Sequence, residues 1–435
     1  MKEDYVQRSR ASVWHPCTQM KHHERVPLIP IARGEGVWLY DFEGRRYLDG
    51  ISSWWVNLFG HNNLRINRAI SDQLGKFAHT MLAGCTHEPV IELSERLSAL
   101  TGGKLGHCFY GSDGASAIEI ALKMSFQYWR NCGHSGKDRY ISLQNGYHGE
   151  TIGALSVTDV RLFKDTYAPL LRPSEQMPTP DTRRAEPGES PRDFAFRCAR
   201  SLAAWLEEHG DETAAFILEP LVQCAAGMAM YDAEYLRQAR ALCAQHQVHL
   251  IADEIAVGFG RTGTFFACEQ APVTPDFLCL SKGLTGGYLP LSVVLARPEI
   301  YQAFYDDDIA HGFLHSHSYT GNPLACRAAL ATLEIFGEDK VIESNQGKAK
   351  AMREATRAIA QHAKVKNFRQ CGMICAFEVE TDDPHFGEHF REQATAAELL
   401  LRPIGNTVYF MPPYVIDAAE IEVLASRTLK IIDST

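Results

Sequence analysis

Three polar residues stand where runs of apolar sequence stop: Asp253 ends VHLIAD, Lys282 follows DFLCLS directly, and Glu219 follows AAFIL. In an open sheet flanked by helices, reactive groups collect at strand ends. A lysine placed just after a buried strand has to be desolvated or paired. Taken singly, Lys282 also fits a lysine snorkelling at the sheet edge, and Asp253 a helix cap or a simple ion pair. Taken together, on two strands of one sheet, they can share a crevice. Pyridoxal 5'-phosphate (PLP) needs such a pair: an amine that forms a Schiff base, and a carboxylate that keeps the pyridine nitrogen protonated so that the ring accepts electrons. Ile255, two positions past Asp253, would point the same way if the strand continued, and could press on one face of the ring.

PLP also carries a phosphate. GSDGAS opens a helical stretch, and the N–H groups of Gly114 and Ala115 at its start offer an anion site, although capping by Ser112 or Asp113 explains the same residues. In NGYHGET, Tyr147 and His148 lie between glycines, an aromatic where a ring could stack or a plain loop anchor. Gly258, Gly260 and Gly263 spell GxGxxG, but Pro272 and Pro275 follow where a dinucleotide site needs a helix and a second strand. Cys371 and Cys375 have no matching pair, and His315 and His317 no third ligand, so no metal site is expected.

The elements that must position these residues follow from periodicity. RYISLQ, AAFILEP, VHLIADEI and DFLCLS read as strands separated by helical stretches, which predicts a mostly parallel sheet covered by helices. The helix after GSDG places Ile118, Ala121, Leu122, Phe126 and Trp129 on one face. Pro173 to Asp193, rich in proline and charge, reads as a surface excursion. GEGVWLYDFEGRRYLDGISSWW has the glycines and alternation of antiparallel hairpins. With 435 residues the chain exceeds one minimal core. The expected division is a large domain over 62–335 and a smaller one built from both ends, 1–61 and 336–435. A net charge of −10 argues against nucleic acid and leaves small molecules as partners. The amino-terminal segment lacks the apolar core of a secretory signal, and the longest apolar stretch, Ala214 to Tyr231, is broken by Glu219 and Pro220, so no membrane span is expected. Twelve scattered cysteines are expected as reduced thiols in a cytoplasmic protein.

HLIADEIAVGFGRTG followed by DFLCLSKGLTGG resembles the cofactor signature of class III aminotransferases. VWHPCTQM, ISSWWVNLFGH, GYHGETIGALSVTD, EPLVQCAAGMAMY, SYTGNPLAC and RPIGNTVYFMPPY are similar to the branch of that family that aminates 8-amino-7-oxononanoate in biotin synthesis. These motifs run from Trp14 to Tyr414. The resemblance implies an α/β fold type I PLP transferase, with a mostly parallel central sheet covered by helices and a smaller α+β domain, working as a homodimer with shared active sites. It implies Lys282 as the Schiff-base lysine, Asp253 as the pyridinium partner, and Tyr147 as the third member of the catalytic set. Gly114 and Ala115 would form the phosphate cup, with His317 and Ser318 reaching the phosphate from the neighbouring subunit. Cys17, Trp54, Trp55, Tyr147, Ser316 and Arg402 would meet substrate, the guanidinium of Arg402 gripping a carboxylate. The donor implied is S-adenosylmethionine. Lysine as donor, or another ω-aminotransferase activity, are the alternatives. The chain departs from the family pattern at Cys17, where a tyrosine is common, at Ala115 and Ser316, where a hydroxyl residue and a glycine are, and at Ser318, where threonine is.

Overall fold

Thr213–Leu218 is buried along its whole length, as expected of a strand covered on both faces. It belongs to a seven-stranded sheet of β1 (His107–Gly111), β2 (Arg139–Leu143), β3 (Glu175–Met177), β4 (Thr213–Leu218), β5 (His249–Asp253), β6 (Phe277–Leu280) and β7 (Ser292–Ala296). The order is β1-β7-β6-β5-β4-β2-β3. Pairing is parallel from β6 through β5, β4 and β2 to β3, and β7 alone runs antiparallel to both its neighbours. The computed structural model describes residues 4–26 and 28–435.

The described chain forms two compact units. One takes in Leu64–Gly347 and Arg369–Ile374 and holds the seven-stranded sheet. Its Gly114–Asn131 helix starts directly after β1, capped by Asp113, whose carboxylate accepts the Ser116 N–H at 2.9 Å. Ala117, Ile118 and Ala121 pack in one core with Ile217, Ile251, Phe277 and Val294. Truncating Ile118, Ile217 or Ile251 to alanine costs about 2–5 kcal/mol. The buried row runs through Ser125 rather than Phe126. The Ser125 hydroxyl is satisfied by His249 Nδ1 at 2.9 Å, whereas Phe126 stays half-buried beneath the Arg130 guanidinium, 3.6 Å from its centroid. The stretch from Pro173 to Asp193 is not wholly a surface excursion. Glu175–Met177 adds to the sheet edge beside β2, where few ladder bonds are required of a proline-flanked strand, and Thr179 and Asp181 are buried. Gly258, Gly260 and Gly263 lie in turns and a bend, and the one helical element between them and β6 is a short 3-10 turn at Ala267–Gln270.

The other unit takes in Met1–Asn63, Lys348–Phe368 and Cys375–Thr435. Met1 to Glu3, at the start of the expected smaller domain, lie outside the described residues. Ile31–Glu35, Trp38–Asp41 and Arg46–Asp49 form the expected antiparallel hairpins, and Leu399–Leu400 joins Arg46–Asp49 in parallel. The Ala418–Ser434 helix starts with a capping box of Asp417 and Glu420, and Glu420 also accepts the Trp38 indole N–H at 2.8 Å. Among the described residues no helix is long and apolar enough to cross a membrane.

Candidate active site

The C-terminal ends of β4, β5 and β6 stand side by side. Leu218 pairs with Ala252 and Asp253 with Cys279, so Glu219, Asp253 and Lys282 leave three adjacent parallel strands at one edge. Lys282 is largely enclosed, and loss of water around its amine lowers its pKa against the pull of Asp253, Cys224 and Glu219. Its backbone is left-handed, with φ 42, at the start of the short Lys282–Thr285 turn. That conformation in a non-glycine residue costs about 1–3 kcal/mol and recurs where function requires it.

Asp253 is buried and held at both oxygens. The His148 Nδ1–H donates to Oδ2 at 2.7 Å, and the Ile255 N–H to Oδ1 at 3.1 Å. The strand therefore stops at Asp253, and Ile255 lies in a turn instead of on an extended strand. Ile255 still reaches the start of the Gly114–Asn131 helix: a Cβ at position 114 would stand 3.0 Å from its Cγ2, a close approach that glycine permits. His148 Nε2 is buried with no hydrogen-bond partner among the described residues.

Glu219, buried beside Asp253, has its pKa pushed up to about 7 by burial, with His148 opposing and Asp253 reinforcing the shift. Its two oxygens accept the N–H groups of Tyr147 and Cys224, each at 3.0 Å. Glu219 thus positions the loop that carries Tyr147, whose hydroxyl donates to Glu150 at 2.9 Å and whose ring meets Phe163 edge-on at 5.6 Å. In the sequence His148 stands out only as a neighbour of an aromatic. Its place between glycines in GYHGE was the available signal.

At the helix start, Asp113 takes up the Ser116 N–H, and the helix itself cannot use those of Gly114 and Ala115, which remain for an anion. Ala115 packs against Gly149, where an added Cβ would come within 2.6 Å of the alanine's own. His317 Nε2 lies 2.7 Å from Ser112 Oγ of the same chain at this helix start, while Ser316 and Ser318 are exposed. His315 instead meets Lys123 Nζ at 2.9 Å.

Within the other unit, Cys17, Trp54 and Arg402 gather. The Arg402 guanidinium sits 4.7 Å over the Trp54 ring and donates to the Cys17 carbonyl at 2.9 Å. Cys17, Arg402 and Arg391 line one cavity of about 580 Å³. Trp55 is buried, its indole N–H donating to the Tyr409 hydroxyl at 3.1 Å, which leaves Trp54 as the exposed indole. Both tryptophans belong to a run of four left-handed residues, Ser52, Ser53, Trp54 and Trp55, with φ of 52, 45, 71 and 73. No glycine is among them, so the turn costs about 1–2 kcal/mol per residue.

A lysine and an aspartate leaving adjacent strands, next to the open start of a helix, match what a PLP-dependent transferase on an α/β fold requires. The chain belongs to the class-III aminotransferase family, whose pattern matches residues 19–432. It is 45% identical over 429 residues to the adenosylmethionine-8-amino-7-oxononanoate aminotransferase of Helicobacter pylori, covering 97% of this chain and 96% of that one. The enzyme of the same name from Geobacter sulfurreducens is 39% identical over 434 residues, with coverage of 97% and 96%. The crystal structure of the Methanocaldococcus jannaschii enzyme of that name matches with a TM-score of 0.92 at 36% identity, covering 99% of this chain and 98% of that one. A PLP-bound amine transaminase from an uncultivated Pseudomonas species matches at 32% identity with a TM-score of 0.92, covering 97% and 98%. The fold is the fold type I architecture expected from the sequence.

Proposed function

We propose that this chain transfers an amino group from S-adenosylmethionine to 8-amino-7-oxononanoate, giving the 7,8-diaminononanoate of biotin synthesis. The observation that carries the chemistry is the placement of Lys282 and Asp253 at the ends of adjacent parallel strands. Near full-length similarity to enzymes bearing these substrates' names supports the particular reaction.

The residues present fit PLP. Asp253, fixed by His148 and Ile255, offers a carboxylate to a ring nitrogen, and Gly114 and Ala115 offer N–H groups to a phosphate. When bound, PLP supplies an aldehyde and an electron sink. Lys282, its pKa lowered by burial, is suited to condense with that aldehyde and, once released, to take the proton from the substrate carbon that bears the amino group. Tyr147 supplies an aromatic face and Glu219 holds its loop. Arg402 takes the carboxylate of the acceptor and of the donor in turn, so that one pocket serves both halves of a ping-pong reaction. Trp54 offers a face to the sulfonium of S-adenosylmethionine without a carboxylate that would repel the acceptor.

The same reading carries a homodimer, with His317 and Ser318 of one copy reaching the phosphate of the neighbour's site. Its support is the exposure of Tyr305, Ile309, Leu314 and Tyr319 around that segment, apolar surface that a second copy would cover. Twelve cysteines scattered along the chain, with no disulfide among the described residues, support a reducing, cytoplasmic setting. The test is the donor half-reaction: S-adenosylmethionine alone yields one equivalent of its keto product per site, and lysine alone yields none. The reverse outcome moves the donor assignment to lysine.

A further inference from the structure

Four consecutive left-handed residues without a glycine persist only where tertiary contacts hold them. At Ser52 to Trp55 the contacts of the second residue, Ser53, fall on one side chain. Asp49 is 0% exposed. Its Oδ1 accepts the Ser53 N–H at 2.9 Å, and its Oδ2 accepts the Ser53 hydroxyl at 2.7 Å and faces His61 Nε2 at 3.0 Å. His61 is braced in turn by Asn57, 3.1 Å from its Nδ1. The Ser52 hydroxyl donates to the Met411 carbonyl at 2.7 Å and pins the start of the turn, as the Trp55–Tyr409 bond pins its end. Of the four side chains only that of Trp54 is exposed, at 41%, and its ring lies beneath Arg402.

We propose that Asp49 is a positioning residue for substrate carboxylate binding: it locks the left-handed turn that places the Trp54 ring under the Arg402 guanidinium. This rests on the reading of Arg402 as the carboxylate-binding residue. Stacking on Trp54 and the bond to the Cys17 carbonyl fix the guanidinium plane, and the N–H groups not given to Cys17 are then oriented for an anion. A carboxylate is required at position 49 because three donors converge on it. Asparagine has a single acceptor oxygen and retains only part of the set.

The test compares Asp49→Asn and Asp49→Ala holoenzymes with wild type, alone and combined with Trp54→Ala. It reads the Kd of 8-amino-7-oxononanoate by calorimetry and the split between KM and kcat. Asp49→Ala is expected to raise Kd and KM about tenfold, the scale of a lost charged hydrogen bond, with kcat within about twofold and Asp49→Asn in between. In the Trp54→Ala background the Asp49 substitutions are expected to change Kd less than about twofold, because their effect passes through Trp54. Should Asp49→Ala fail to fold, Ser53→Ala, which removes one donor, is expected to give the intermediate rise in Kd. Wild-type affinity in Asp49→Asn, or an undiminished loss in the Trp54→Ala background, overturns the proposal while leaving Arg402 in its role. A wild-type protein that neither binds nor aminates the keto acid overturns the reading of Arg402, and the proposal with it.

Discussion

His148 Nδ1 lies 2.7 Å from Asp253 Oδ2, with the two side chains 0% and 5% exposed. The bond joins residues 105 apart in sequence and fixes the direction of the carboxylate, while the Ile255 N–H occupies the other oxygen. Asp253→Asn keeps the shape and removes the charge. A nearby opposite charge shifts a titrating group by 1–3 units, so kcat/KM is expected to fall roughly 10- to 1,000-fold with circular dichroism unchanged. His148→Gln, whose amide can still donate to Oδ2, is expected to lose less. Equal losses in the two variants would show that Asp253 contributes through position and not through charge.

Arg402→Ala removes a charge-assisted contact made before chemistry, together with the stacking on Trp54. KM for the keto acid is expected to rise roughly 10- to 100-fold with kcat little changed, as steady-state kinetics would show. Equal damage with acceptors that lack a carboxylate would count against this role.

His249, at the start of β5, is stacked on Trp129 at 4.5 Å, and burial lowers its pKa from 6.5 to about 4. The stability that depends on neutral His249 is fully present above pH 6.5 and is lost as pH falls through about 4. A shift of that size corresponds to on the order of 3 kcal/mol. His249→Phe keeps a ring against Trp129 and cannot titrate. Its melting temperature is expected to fall less than that of wild type between pH 7 and pH 4, as differential scanning calorimetry would show. Parallel declines would place the acid sensitivity elsewhere.

The edge that carries Glu219, Asp253 and Lys282 was legible because β4, β5 and β6 are short apolar runs, each followed by a polar residue, and such runs have few alternatives to a buried strand. Ser125 was not legible as a core position, since its burial depends on His249 far along the chain. Nor was the edge strand Glu175–Met177, which owes its conformation to β2 and sits among prolines that signal a loop. SSWW carries no mark of a left-handed turn: the conformation comes from Asp49, Met411 and Tyr409, and no local propensity favours it. The partnership of His148 with Asp253 was hidden for the same reason, because the bond exists only once the sheet has formed.

The central claim is that this chain aminates 8-amino-7-oxononanoate at Lys282 with S-adenosylmethionine as donor. Its most direct test incubates the purified, PLP-loaded protein with the keto acid and each of several donors, and looks for 7,8-diaminononanoate by mass spectrometry. Lys282→Ala serves as the control, because it removes both the amine that condenses with the cofactor and the group that moves the proton. Diamine is expected from S-adenosylmethionine with the wild-type protein, and a loss of about 100-fold or more in Lys282→Ala. Absence of the diamine with every donor, or undiminished turnover in Lys282→Ala, would contradict the claim.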